Sequence, residues 1–90
     1  MNNFNLGKFV YDGNVYVNSE QHIDIYQSRD SDDDFVEIID IDNNNGTYVV
    51  QFYKRCELVK TIICNLKDHD YELNSIEKEL NELIKKVYEV

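Results

Sequence analysis

The chain has 90 residues, 42% of them hydrophobic, and a formal net charge of −9 from 18 acidic and nine basic side chains. That is enough for one domain with a modest core, and it excludes a chain disordered by composition. The charge argues against direct binding to nucleic acid, and no apolar run is long enough to span a bilayer.

The charge is unevenly distributed. Residues 12 to 46 hold ten acids and one base, Arg29, whereas residues 47 to 90 hold eight acids and seven bases. Asp30, Asp32, Asp33, Asp34, Glu37, Asp40 and Asp42 form the densest part, with no base among them.

In chain order, residues 6–11 and 14–18 are β-rich runs on either side of Asp12-Gly13, a strong hairpin signal. A two-residue turn there pairs Tyr11 with Asn14 and Val10 with Val15. It puts Lys8, Val10, Val15 and Val17 on one face and Phe9, Tyr11 and Tyr16 on the other. Both faces are partly apolar.

Residues 22–27 alternate as a half-buried strand, with Ile23 and Ile25 on one side and His22, Asp24 and Tyr26 on the other. His22 is expected to face solvent. Ser28 to Asp34 reads as a polar loop. Residues 35–42 read as a strand whose alternation breaks at Ile38-Ile39, where a bulge would restore it. Asn43 to Gly46 is a turn. Residues 47–54 and 58–65 form a second hairpin, and Asn65 to Asp70 a polar connector.

Residues 70–89 read as a helix, with Leu73, Ile76, Leu80, Leu83, Val87 and Val90 at spacings of three and four and Ile84 widening the stripe. Asp70, or Asn74 with Glu77, is placed to cap it. The stripe is too short for a coiled coil and is expected to cover a sheet. The fold class is therefore α+β: one domain, residues 1–90, with a twisted antiparallel sheet of five to six short strands and one C-terminal helix on one face.

Catalytic and metal patterns are weak. Asp40 to Gly46 begins like an EF-hand loop, but the sixth position is Asn45 and the twelfth is Gln51, where the loop needs Gly and Glu. Asp68-His69-Asp70 offers ligand types without a second cluster at ligand spacing. Cys56 and Cys64 read as free thiols, Cys64 buried and inert. No glycine-rich phosphate loop exists among three glycines. No enzyme, metal or cofactor is expected. The start MNNFNLGKFV lacks a signal-peptide pattern, so the expected compartment is the cytoplasm.

The acidic segment is the candidate binding site. Carboxylates at i and i+2 of an extended segment lie about 6.7 Å apart on one face, a spacing that can imitate a phosphate track. Asp40 and Asp42 have that relation, as do Asp30, Asp32 and Asp34 if the loop is extended. Tyr26 and Phe35 are candidate aromatic anchors beside it. Abundant Asn, Ile and Tyr, with no Ala or Pro, suit an AT-rich coding source.

In its size, acidity and architecture, and in the run of acids from Asp30 to Asp42, the chain resembles the small phage-encoded anti-CRISPR proteins and other DNA-mimic inhibitors. No motif supports a transfer of functional residues. The resemblance implies a non-enzymatic inhibitor that occupies the basic nucleic-acid groove of a partner protein. An antitoxin or immunity protein would use the same physics on a toxin. An assembly module would dimerise through a sheet edge or the helix. The expected oligomeric state is a monomer or weak homodimer.

Overall fold

The computed structural model describes residues 4–17, 21–41, 46–70 and 72–89. Five antiparallel strands form one sheet in sequence order: β1 (Phe9–Val17), β2 (Gln21–Ser28), β3 (Phe35–Ile39), β4 (Thr47–Lys54) and β5 (Glu57–Asn65). A 3-10 turn, η1 (Leu66–His69), leads into the helix α1 (Leu73–Tyr88), which lies across one face. The expected α+β fold is present.

The expected hairpin at Asp12-Gly13 is absent. β1 runs straight through these residues along β2, pairing Tyr11 with Tyr26 and Asn14 with Asp24. Asp12 and Gly13 together oppose Ile25, which makes a β-bulge. Gly13 has φ +110°, a backbone that L side chains rarely adopt, so the glycine that suggested a turn serves the bulge instead. Two extra residues in a turn and two residues against one in a bulge leave the same side-chain parity. Phe9, Tyr11 and Tyr16 therefore share one face, as the sequence grouped them, and the structure shows that this is the helix-covered face, with Val10, Val15 and Val17 on the other.

Ile38 and Ile39 need no bulge. Ile38 enters the core, and Ile39 points to the opposite face, where it meets Ile23 and Val49. The strand ends at Asp40, whose positive φ of 63° turns the chain so that Ile41 returns to the core. Asp40 still serves the sheet: its N–H donates to His22 O at 2.7 Å and its carboxylate accepts from His22 N.

The core joins Phe9, Tyr26, Val36, Ile38, Tyr48, Val50 and Phe52 of the sheet to Ile76, Leu80, Ile84 and Val87 of α1. The buried helix stripe is thus Ile76, Leu80, Ile84 and Val87; Leu73 is exposed and Leu83 is half-buried. Val90 lies outside the described residues. The helix is consumed by the core, which removes its stripe as a dimer seam. Asp70 does not cap it. Asp70 is the left-handed residue closing η1, and Glu72 occupies the helix N-cap without a side-chain bond.

Residues 4–6 tie onto the helix side of the sheet. Phe4 N–H donates to the Tyr26 hydroxyl, and Asn5 N–H donates to Glu77 Oε1 at 2.6 Å. Tyr88, at the far end of α1, packs its ring at a tilt against Phe9, and its hydroxyl lies 2.8 Å from Tyr53 O and 3.1 Å from Phe35 O.

Candidate functional site

The acidic loop joins β2 to β3. Its backbone folds back on itself: Ser28 N–H donates to Asp34 O, Asp30 N–H to Ser28 Oγ and Asp33 N–H to Ser31 Oγ. The Gln27 side-chain amide donates to both Ser31 O and Asp34 O, at 2.9 and 3.0 Å. The loop is therefore compact, and the extended row of Asp30, Asp32 and Asp34 does not form. Asp30, Asp32 and Asp33 are exposed and Asp34 is half-buried.

Asp33 and Asp34 face the β4–β5 turn. Arg55 and Cys56 both have positive φ, 54° and 64°, as a two-residue type I′ turn requires. Neither is the Gly or Asn that such turns favour. The neighbouring loop supplies the support: Arg55 N–H donates to Asp34 Oδ1 at 3.1 Å and Cys56 N–H to Asp33 O at 2.8 Å. Two loops at one end of the sheet are thus locked together. The Cys56 thiol donates to Asp33 Oδ1, and that bond to a carboxylate pushes its pKa up from the ordinary thiol value.

Bases approach this loop as well. Lys8 lies 3.9 Å from Asp30, and Arg55 sits in the facing turn. The patch is consequently less purely anionic in space than in sequence. Asp40 is occupied with β2, and Asp42 lies outside the described residues. Glu37 sits in mid-sheet, between Ile25 and Gln51. Tyr26 is fully buried in the core, so it is not an interface anchor. Phe35 is half-buried and stacks on Tyr53, with ring centroids 4.3 Å apart, on the face away from the helix.

No protein-family model, curated protein or solved structure matches this chain. Among the described residues, no helix is long and apolar enough to cross a membrane, and no group of three or more His, Cys, Asp or Glu side chains is set to hold a metal ion.

Two polar clusters lie on the helix-covered face. The first runs from β5 to α1. Cys64 Sγ donates to Glu79 Oε1 at 3.2 Å, Glu79 Oε2 lies 2.8 Å from His69 Nε2, and His69 Nδ1 lies 2.8 Å from Ser75 Oγ. In the neutral ring, Nε2–H donates to the carboxylate and Nδ1 accepts from the hydroxyl. Burial, and then the Glu79 carboxylate, push the Cys64 thiol up to about 11, so it is unreactive at neutral pH. The buried Tyr48 hydroxyl has this sulfur, a weak hydrogen-bonding atom, as its polar neighbour. The sequence reading separated Cys64 from His69; only Glu79, less than one turn along the helix from Ile76, joins them. This arrangement anchors η1 to α1.

The second cluster is His22 and the fully buried Asp24, 3.4 Å apart, with Tyr16 stacked on the imidazole at 4.7 Å. The expectation of a solvent-facing His22 is corrected: the ring is largely buried, with Tyr16 stacked on its face and the Asp24 carboxylate beside Nε2.

The opposite face of the sheet carries no described element. A row of aliphatic residues crosses all five strands in register: Val15, Ile23, Ile39, Val49 and Ile63. Ile63 is 74% exposed and Val15 46%. The next row inward is Ile25, Glu37, Gln51 and Thr61, and beyond it lie Val10, Gln27, Phe35, Tyr53 and Leu58. Burial, and then the neighbouring Glu37, raise the pKa of Tyr53.

Proposed function

We propose that this chain is a non-enzymatic binding protein whose acidic β2–β3 loop engages a basic surface on a partner protein, of the kind that otherwise holds nucleic acid. The observation that carries this reading is the pinning of the loop. A run of acids that served solubility alone needs no fixed shape, whereas this loop is held by its own Ser hydroxyls, by Gln27 and by the β4–β5 turn. A preorganised loop loses little entropy on binding, and exposed carboxylates steer a cationic partner. Asp30 and Asp32 are the contact residues; Asp33 and Asp34 shape the loop. The resemblance to DNA-mimic inhibitors supports the same reading through size and charge, and it makes blocking of a nucleic-acid groove the expected role.

The test is affinity capture from a host-cell extract at low and high salt, then a titration against the protein identified. Capture at low salt, its loss at high salt, and at least about a tenfold weaker Kd for Asp30→Asn with Asp32→Asn are expected. These two substitutions leave the bonds to the turn intact. An unchanged Kd for the double variant sinks the reading.

A further inference from the structure

Among the described residues, Glu37 is the single charged side chain that β2, β3, β4 and β5 turn to the uncovered face. The other titratable groups of these strands at pH 7, His22, Asp24, Lys54, Glu57 and Lys60, alternate onto the helix side. Glu37 is half-buried in mid-sheet. Ile25 and Gln51 flank it on the neighbouring strands, and Phe35 and Ile39 precede and follow it on its own face. We infer that Glu37 receives an arginine side chain of the basic partner, whose stem lies against the Phe35–Tyr53 stack. The inference rests on the acidic-loop reading only in taking the partner to be basic.

Three observations select this occupant. The first is desolvation. The neighbours of Glu37 are apolar or neutral, so whatever covers them takes the carboxylate out of water. A covered carboxylate is tolerated only when it is paired and hydrogen-bonded. The occupant must therefore bring a cation to this spot. The same face of a second copy has no lysine or arginine on these four strands to bring.

The second is the set of acceptors. The Tyr53 hydroxyl lies by the Glu37 carboxylate and 3.4 Å from Gln51 Oε1, so the two acceptors are gathered in one place. A guanidinium offers five N–H donors in a plane, takes a carboxylate bidentately and keeps a donor for a neighbouring carbonyl. An ammonium is a strongly hydrated point charge and suits an apolar surround less well.

The third is position. Phe35 and Tyr53 stack one row outward from Glu37, and exposed Val10 and Leu58 end that row. Phe35 and Glu37 are two residues apart on one face, about 6.7 Å, which an extended arginine side chain spans. Its methylenes then lie on the apolar row and its head on the carboxylate. Gln27, in the same row, holds the acidic loop through Ser31 O and Asp34 O, so one partner surface can cover both. The connections that border this row, residues 29–34 and 55–56, lie among the described residues.

The probe is a labelled nona-arginine peptide, titrated with the purified chain at low salt and read by fluorescence anisotropy. Saturable binding is expected, with a Kd about fivefold or more weaker for Glu37→Gln. Glu72→Gln removes the same charge from an exposed residue at the start of α1 and should change the Kd by less than about twofold. Nona-lysine should bind the parent several-fold more weakly than nona-arginine. Far-UV circular dichroism of each variant should match the parent. Equal Kd values for Glu37→Gln and Glu72→Gln overturn the inference, as does an absence of binding; nona-lysine binding as tightly as nona-arginine overturns the choice of arginine. Asp30→Asn with Asp32→Asn reports on the loop separately. A loss at Glu37→Gln with none in that double variant sinks the acidic-loop reading alone, and the converse sinks this inference alone. If Glu37→Gln loses its fold, Glu37→Asp, which keeps the charge but withdraws it by one methylene, carries the test with a smaller shift.

Discussion

Asp33 and Asp34 show how a residue can be acidic for structural reasons. The type I′ turn at Arg55-Cys56 places two side-chain-bearing residues in the left-handed region, which costs about 1–2 kcal/mol for each ordinary L residue. The hydrogen bonds from the facing loop offset that cost. Cys56 records the proximity. Its thiol donates to Asp33, so the thiolate is disfavoured although the side chain is exposed. Alkylation of Cys56 by iodoacetamide near neutral pH should be slower than that of an unstructured peptide thiol. Asp33→Asn should speed it several-fold, while Cys64 stays protected until the chain unfolds. Equal rates in the parent and in Asp33→Asn would show that the carboxylate does not control this thiol. None of this was visible in the sequence, because Asp33 and Cys56 are 23 residues apart and no local pattern links them.

At the level of elements, β1 is the place where local chemistry and tertiary context disagree. Asp-Gly between β-rich runs favours a two-residue turn, yet β2 offers β1 a partner along its whole length. The bulge keeps both: Gly13 supplies the unusual φ, and pairing resumes at Asn14. A Cβ at Gly13 would meet nothing within 4 Å, so the cost of a side chain there is confined to the backbone. Gly13→Ala should lower stability by about 1–2 kcal/mol, read as a lower urea midpoint with an unchanged slope. No change in midpoint would mean that the strand accommodates the residue by another path. The apparent break at Ile38-Ile39 has a related cause. Alternation signals a strand only when one face is polar, and this sheet is apolar on both faces at that row. The helix was far easier to read, because its buried residues Ile76, Leu80, Ile84 and Val87 follow the helical period without competition. Its start was less so, since η1 and the left-handed Asp70 intervene before Leu73.

For the whole molecule, the buried hydroxyls and thiol set a limit on the alkaline side. Tyr48, Tyr88 and Tyr26 are raised above 10.0, chiefly by burial, and Cys64 is raised from 9.0 to about 11. In each case the folded state holds a proton that the unfolded chain releases. Stability from these groups is complete below about pH 9 and falls as the pH rises through 9 to 11 and beyond. The urea midpoint should therefore drop steeply between about pH 8 and about pH 11. Tyr48→Phe should flatten that drop while leaving the neutral-pH midpoint unchanged or slightly higher, because the buried hydroxyl it removes has only a sulfur, a weak partner, beside it. A midpoint that does not move with pH would contradict the burial of these groups. The fold class was readable at this scale from strand-like runs followed by one amphipathic helix. The surface features were only half readable: composition located the acidic loop, but only strand register brought five scattered aliphatic residues into one line.

The order of the strands has a further consequence. Each strand lies beside its sequence neighbour, from β1 through β5. Every pairing thus closes over a short stretch of chain, and the entropic penalty of closure stays small. A sheet of such low contact order can zip up one hairpin at a time. The costly closure is the one between Asn5 and Glu77, which are 72 residues apart. The natural sequence of events is a sheet that assembles quickly with its helix side still wet, followed by helix docking that seals the core and captures residues 4–6.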